Sequence, residues 1–229
     1  MPHAPSTPVD LGYKVKLETI SGSGADLKLR SLLDRQQYHD PEGQAEEAGI
    51  PPASWPLFGL LWPSGQVLAG VMVSYALAGK RILELGCGLG LASLVVHRRG
   101  GDITASDCHP LAAGFLAENL RLNQLPVMKY QDANWNRANP QLGLFDLIIG
   151  SDVLYDRGQP EALSQFIDRH SSLDVEVLIV DPDRGNQQSF NRKMGVLGYA
   201  HSKTAVIALP DGEAFKGKLH RYARCTLIG

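Results

Sequence analysis

Cysteine is scarce in this chain. Cys87, Cys108 and Cys225 are odd in number and far apart among 229 residues, which excludes a disulfide framework and a spaced zinc site, so no metal is expected. Net charge is small as well. A formal charge of −2 gives no whole-protein field for nucleic acid or an anionic membrane, and neither is an expected partner. The sequence reads as lacking a membrane-length apolar run. Its opening, Met1 to Pro8, has neither a basic nor an apolar stretch, so a cytoplasmic location is expected. Internal repeats and long low-complexity tracts are missing too. What remains, with 44% hydrophobic and 20% charged residues, is an ordinary globular composition.

The informative stretch is Arg81-Ile-Leu-Glu-Leu-Gly-Cys-Gly-Leu-Gly90, an apolar strand that empties into glycines spaced G-x-G-x-G. Such a turn brings backbone close to a ligand. The dinucleotide fingerprint G-x-G-x-x-G is not met, because its third glycine would fall on Leu91. Nicotinamide and flavin cofactors therefore fit poorly, whereas S-adenosylmethionine (SAM) has no pyrophosphate and fits better. Cys87 reads as a small residue tolerated in the turn, not as a nucleophile. A second strand, Asp102 to Ser106, ends on Asp107 about 20 residues beyond Gly86, where a carboxylate accepts ribose hydroxyls in mononucleotide-binding folds. The same aspartate also reads as a cap before a helix starting at His109-Pro110.

Along the chain, residues 1–12 read as a loose tail, Tyr13 to Ile20 as a short strand, Leu27 to Tyr38 as a helix and Asp40 to Pro52 as a loop or lid. Val67, Leu68, Val71, Met72 and Tyr75 recur at helical spacing. From Lys80 strands and helices alternate. Strands are expected near 81–85, 102–106, 127–130, 144–150, 175–180, 203–209 and 220–227, with helices near 90–99, 110–123, 159–170 and 186–197. This predicts an α/β fold of three layers, with a mostly parallel seven-stranded Rossmann-like sheet whose last two strands form an antiparallel pair. The division is an extension or lid over 1–53 and a main domain over 54–229.

In such a sheet the carboxyl ends of the strands share one edge, where ligands bind. Those ends carry Glu84 to Gly90, Asp107, Asp132, Ser151, Asp152 and Asp181. Trp135 offers a flat face to an adenine, or packs over the sheet edge. Trp55 and Trp62 either fill a core or wall a site for a sulfonium cation. Phe145 to Tyr155 is a buried-type strand ending in D-x-x-Y, and it lacks the proline pair of enzymes that methylate nucleobase amines, which disfavours a flipped base as acceptor.

Leu61-Trp62-Pro63-Ser64, Leu83 to Gly90, Thr104 to Asp107, Asp132 to Trp135 and Asp152-Val-Leu-Tyr155 together resemble the class I seven-strand SAM-dependent methyltransferases. Within that class the chain is similar to the family 16 branch, whose studied members are largely protein-lysine methyltransferases. The resemblance covers roughly residues 54–229. It implies SAM as cofactor, held by Trp62, Glu84, Gly86, Cys87, Gly88, Asp107, Trp135 and Ser151, with Asp152 and Tyr155 bordering an acceptor amine. Pro63 departs from the Asp that follows the Trp in the animal enzymes and matches relatives of bacterial type. The implied partner is a protein bearing a lysine. A small amine as acceptor, and a SAM-binding interaction protein without turnover, are the alternatives. An oxidoreductase is disfavoured by Leu91.

Overall fold

Strands that are apolar on both faces need cover on both sides, and the central strands here are of that kind. In β3 (Arg81–Leu85), Ile82 faces one hydrophobic core while Leu83 and Leu85 face the other. In β7 (Ser171–Asp181), Leu178 and Val180 join the first core, Val177 and Ile179 the second. The period of two divides each strand between two helical layers. In this computed structural model, residues 13–22, 24–38, 40–183 and 185–224 are described.

The remaining strands are β4 (Asp102–Asp107), β5 (Lys129–Asp132), β6 (Phe145–Ser151), β8 (Ala200–Ala208) and β9 (Ala214–Ala223). Their order is β5-β4-β3-β6-β7-β9-β8, with β9 antiparallel to both neighbours. The expected three-layer sheet and its antiparallel end are present. Strand β9 starts earlier than expected, and residues 225–227 of that expectation, with Cys225 and the 1–12 tail, lie outside the described residues. After β3 the chain builds outward through β4 and β5, then returns to add β6 on the other side of β3. The carboxyl ends of β3 and β6 therefore flank the switch point where doubly wound sheets open a crevice.

Helices α2 (Pro63–Ser74), α3 (Leu91–Arg98) and α4 (Ala112–Leu122) cover one face; α5 (Gln159–Arg169) and α6 (Gln187–Val196) cover the other. Helix α4 starts at Ala112, because Asp107 first turns the chain by accepting the His109 N–H. Two sequence expectations fail. Leu27–Leu32 is a strand, β2, paired antiparallel with β1 (Val15–Ile20), and not a helix. Its free edge is held by α4: Asn119 accepts from Arg30 N–H at 2.7 Å and Asn123 from Lys28 N–H at 2.9 Å, while both amides donate back to the same residues' carbonyls. Two asparagines one helical turn apart thus substitute for a neighbouring strand. The other failure is the apolar stretch Pro52–Ser74, which is long and apolar enough to cross a membrane. It is two pieces, a 3₁₀ turn over Pro52–Gly59 and α2, separated by extended backbone at Leu60 and Trp62, and Trp55, Phe58, Leu68 and Met72 are buried in the core. Part of the expected 40–52 loop is a short helix, α1 (Gln44–Glu47).

Candidate active site

The glycine turn between β3 and α3 needs residues without a side chain. Gly86 and Gly88 have φ of 57° and 52°, in the left-handed region that favours glycine. A Cβ on Gly88 would stand 2.6 Å from the Phe58 carbonyl oxygen, and one on Gly86 would meet Val153 at 3.1 Å and the Trp135 ring at 3.6 Å. The turn is therefore clamped between the 3₁₀ segment, the exit of β6 and Trp135. It is also tied down from outside, since the Asn119 amide that holds β2 donates to the Leu89 carbonyl as well.

Asp107 closes the turn from β4. One carboxylate oxygen accepts the Gly88 N–H at 2.8 Å and the other accepts the His109 N–H at 2.9 Å. The carboxylate thus serves as the cap read from the sequence and still has lone pairs for a hydroxyl in the cleft that it lines. Burial raises its pKa while these backbone hydrogen bonds oppose the rise. Burial also pushes the Cys87 thiol well up, in keeping with a non-nucleophilic role.

Glu84 is committed locally. Its Oε2 accepts the backbone N–H of Ser93 at 2.8 Å and also the Ser93 hydroxyl, fastening β3 to the first turn of α3. Burial pushes its pKa from 4.5 up to about 7. A carboxyl that holds its proton more tightly folded than unfolded stabilises the fold most below its unfolded pKa, and that contribution fades as pH rises through 7. Glu84→Gln keeps an acceptor for Ser93 but carries no charge. Relative to this variant, the wild-type protein should lose up to about 3 kcal/mol between pH 4 and pH 8 in urea unfolding; parallel stability profiles would contradict the assignment.

On the other side of the switch point, β6 delivers Ser151 and Asp152 to the same cleft. Asp152 has φ of 54°, a backbone state costing a non-glycine residue about 1–3 kcal/mol, although aspartate tolerates it better than most. Its N–H is held by the Val180 carbonyl at 2.9 Å. Tyr155 stands at the rim, 48% exposed, and burial of its hydroxyl side raises its pKa to about 12, so it is a neutral phenol at ordinary pH.

The cleft encloses about 610 Å³, within the usual range for a small-molecule site. Trp62, Glu84, Gly86, Cys87, Gly88 and Asp107 line it, as do Trp135, Ser151, Asp152 and Tyr155. Asp132 and Asp181, expected on the same edge, do not: Asp132 is exposed at the end of β5, and Asp181 is buried beneath Gly217 of β9. Three lining residues were not singled out in the sequence. Phe58 stacks on His109 at 3.8 Å. His109 accepts the Leu111 N–H at Nδ1, so its proton sits on Nε2, which is buried without a partner among the described residues. Burial lowers its pKa to about 4 and keeps it neutral. Arg35, beyond β2, lies over the Trp62 ring at 4.9 Å. These three are distant in sequence from the glycine turn. In the sequence Phe58 lies between Trp55 and Trp62, His109 reads only as a helix start, and Arg35 carries no signal.

These features fit a nucleoside-bearing cofactor. Gly86 and Gly88 leave backbone bare against the cleft, Asp107 offers acceptors for ribose hydroxyls, and Phe58 and Trp135 present aromatic surface. The profile of the lysine methyltransferase family matches residues 58–194.

The chain belongs to the lysine methyltransferase family. Among its relatives, the electron transfer flavoprotein beta subunit lysine methyltransferase of Danio rerio is 30% identical over 169 residues, 70% of this chain and 62% of that protein. The Mus musculus protein of the same name is 32% identical over 174 residues, 72% of this chain and 64% of that one. Protein N-lysine methyltransferase METTL21A of Danio rerio is 33% identical over 129 residues, 52% and 58% of the two chains. The chain thus spans less than two thirds of the length of these relatives. Among solved structures, a methyltransferase from Pyrococcus furiosus superposes with a TM-score of 0.58 at 15% identity, covering 70% of this chain and 83% of that one. Magnesium protoporphyrin IX methyltransferase from Synechocystis PCC 6803, crystallised with bound SAM, gives 0.57 at 15%, covering 71% and 80%. These two likenesses concern the fold. The family match takes in the glycine turn, Asp107, Trp135, Asp152 and Tyr155, and leaves out the β1–β2 hairpin and Arg35.

Proposed function

We propose that this lysine methyltransferase family member transfers the methyl group of SAM to the side-chain amine of a lysine in a protein. The observation that carries the reading is the meeting of the Gly86–Gly88 turn with the strained Asp152 turn in one cleft at the switch point. Bound SAM supplies an activated methyl group on a sulfonium. In this reading Asp107 accepts the ribose hydroxyls, Trp135 and Phe58 flank the adenine, and Trp62, Cys87 and Ser151 complete the cofactor wall. Glu84 acts from beneath by fixing the turn to α3.

The acceptor must arrive as a free amine. With a pKa near 10.4, lysine is neutral in only about 0.1% of molecules at pH 7.4, a penalty of about 4 kcal/mol. Asp152 does not relieve that penalty by proximity, because a carboxylate favours the ammonium. Its role is to accept an N–H of the amine and aim the lone pair after the proton has left to water. Tyr155, half-exposed at the rim, borders the path of the incoming side chain.

A small amine is the second reading, favoured by Arg35, Ile50 and Pro51 of the N-terminal segment, which line the cleft. The small net charge argues for an acceptor other than nucleic acid. Transfer of labelled methyl into a size-fractionated lysate separates the readings. Label in the protein fraction is expected; label confined to small molecules overturns the protein acceptor. SAM binding without transfer to either fraction would support a binding protein without turnover.

A further inference from the structure

The described residues that line the cleft include four carboxylates, Glu84, Asp107, Asp152 and Asp156, but Arg35 is the one Lys or Arg among them. Its guanidinium lies over the Trp62 ring at 4.9 Å. Trp62 is itself fixed, because its indole Nε1–H donates to the Leu57 carbonyl at 2.8 Å. A guanidinium held over an aromatic face in this way still has N–H donors to offer to hydrogen-bond acceptors. Among the described residues those donors make no hydrogen bond and no ion pair, although Asp34 is adjacent and instead accepts from Gln36 and Gln37. Arg35 is exposed at the rim and not buried on the cleft floor, which favours contact with an arriving molecule over contact with a cofactor seated against Gly86 and Asp107.

We propose that Arg35 is a specificity residue that pairs with a carboxylate carried by the methyl acceptor, close to the amine that Asp152 receives. The inference rests on the amine-methylating reading above. It adds that the acceptor carries a carboxylate beside its amine, the two groups being met by Arg35 and Asp152 at separate points of one cleft. Planar bidentate geometry suits arginine to that task and makes lysine a poor replacement. The carboxylate has two possible sources, an Asp or Glu side chain near the target lysine in a protein, or the carboxylate of a free amino acid.

The test uses the full chain with labelled SAM and five probes. Three are peptide pools with a central lysine, flanked by Asp/Glu, by Asn/Gln or by Lys/Arg; the others are free lysine and lysinamide. Wild-type kcat/KM should favour the acidic pool over the amide pool by about fivefold, in line with a partly exposed charge pair. Arg35→Ala should reduce that ratio to within about twofold of unity, Arg35→Lys should restore only part of it, and Arg35→Glu should turn the preference toward the basic pool. The SAM dissociation constant should stay within about twofold in all three variants. If free lysine is preferred over lysinamide and the peptide pools are poor, the carboxylate source is a small molecule and the pairing stands. An acidic preference that survives in Arg35→Ala, or a loss of SAM affinity in that variant, would overturn the proposal while leaving the amine-methylating reading intact. No transfer to any probe by wild-type protein that binds SAM would overturn that reading, and the pairing with it.

Discussion

Asp107→Ala is expected to weaken SAM binding by about 10- to 150-fold. The carboxylate serves two structures at once, because its oxygens accept the Gly88 and His109 N–H groups while it also faces the cleft. Loss of charge-assisted hydrogen bonds worth roughly 1.5–3 kcal/mol sets the scale of the effect. Asp107→Asn is the milder variant: its carbonyl oxygen can hold the Gly88 N–H, but its NH2 then faces the His109 N–H, which loses its acceptor, and an amide accepts hydroxyls less strongly than a carboxylate does, so affinity should fall here too. Titration calorimetry checks both variants. An unchanged dissociation constant in a folded Asp107→Ala protein would reduce this residue to a helix cap.

Asp152→Asn should retain SAM binding and lose at least about tenfold in turnover, since misplacing a reacting atom is costly when the protein's contribution is alignment. Asparagine is the right replacement because φ at this position is 54°, and asparagine tolerates the left-handed region at least as well as aspartate. Alanine would add backbone strain and confuse geometry with charge. Higher pH supplies more free amine to either protein, so it should rescue the variant only in part. If SAM affinity falls together with the rate, Asp152 serves the cofactor; full activity in a folded variant would remove the D-x-x-Y assignment.

The parts of the fold that could be read directly were those whose local chemistry and tertiary role agree. Arg81 to Gly90 is apolar where the strand is covered on both faces and glycine where φ turns positive, so pattern and structure coincide. The segment from Leu27 reads as a helix because Leu29, Leu32 and Leu33 fit a helical face. What decides for a strand is the pair Asn119 and Asn123, whose amides take up the backbone edge of β2 from far along the chain. Tertiary hydrogen bonding overrode a weak local preference. The same distance effect hid part of the site. Asp107 and Asp152 announce themselves at the ends of apolar strands, whereas Arg35 has meaning only once the hairpin brings it over Trp62. Asp132 and Asp181 show the opposite error, since a polar residue at a strand end is often only a turn residue.

The proposed reaction is methyl transfer to lysine in the cleft between the Gly86–Gly88 turn and Asp152. Its most direct test is total acid hydrolysis of lysate protein labelled by the full chain with methyl-tritiated SAM, followed by amino-acid chromatography beside an Asp152→Asn control. Label eluting with methylated lysines, reduced at least about tenfold in the control, is the predicted result. Label eluting with methylated arginine or histidine, or equal methyllysine from the control, would contradict the account.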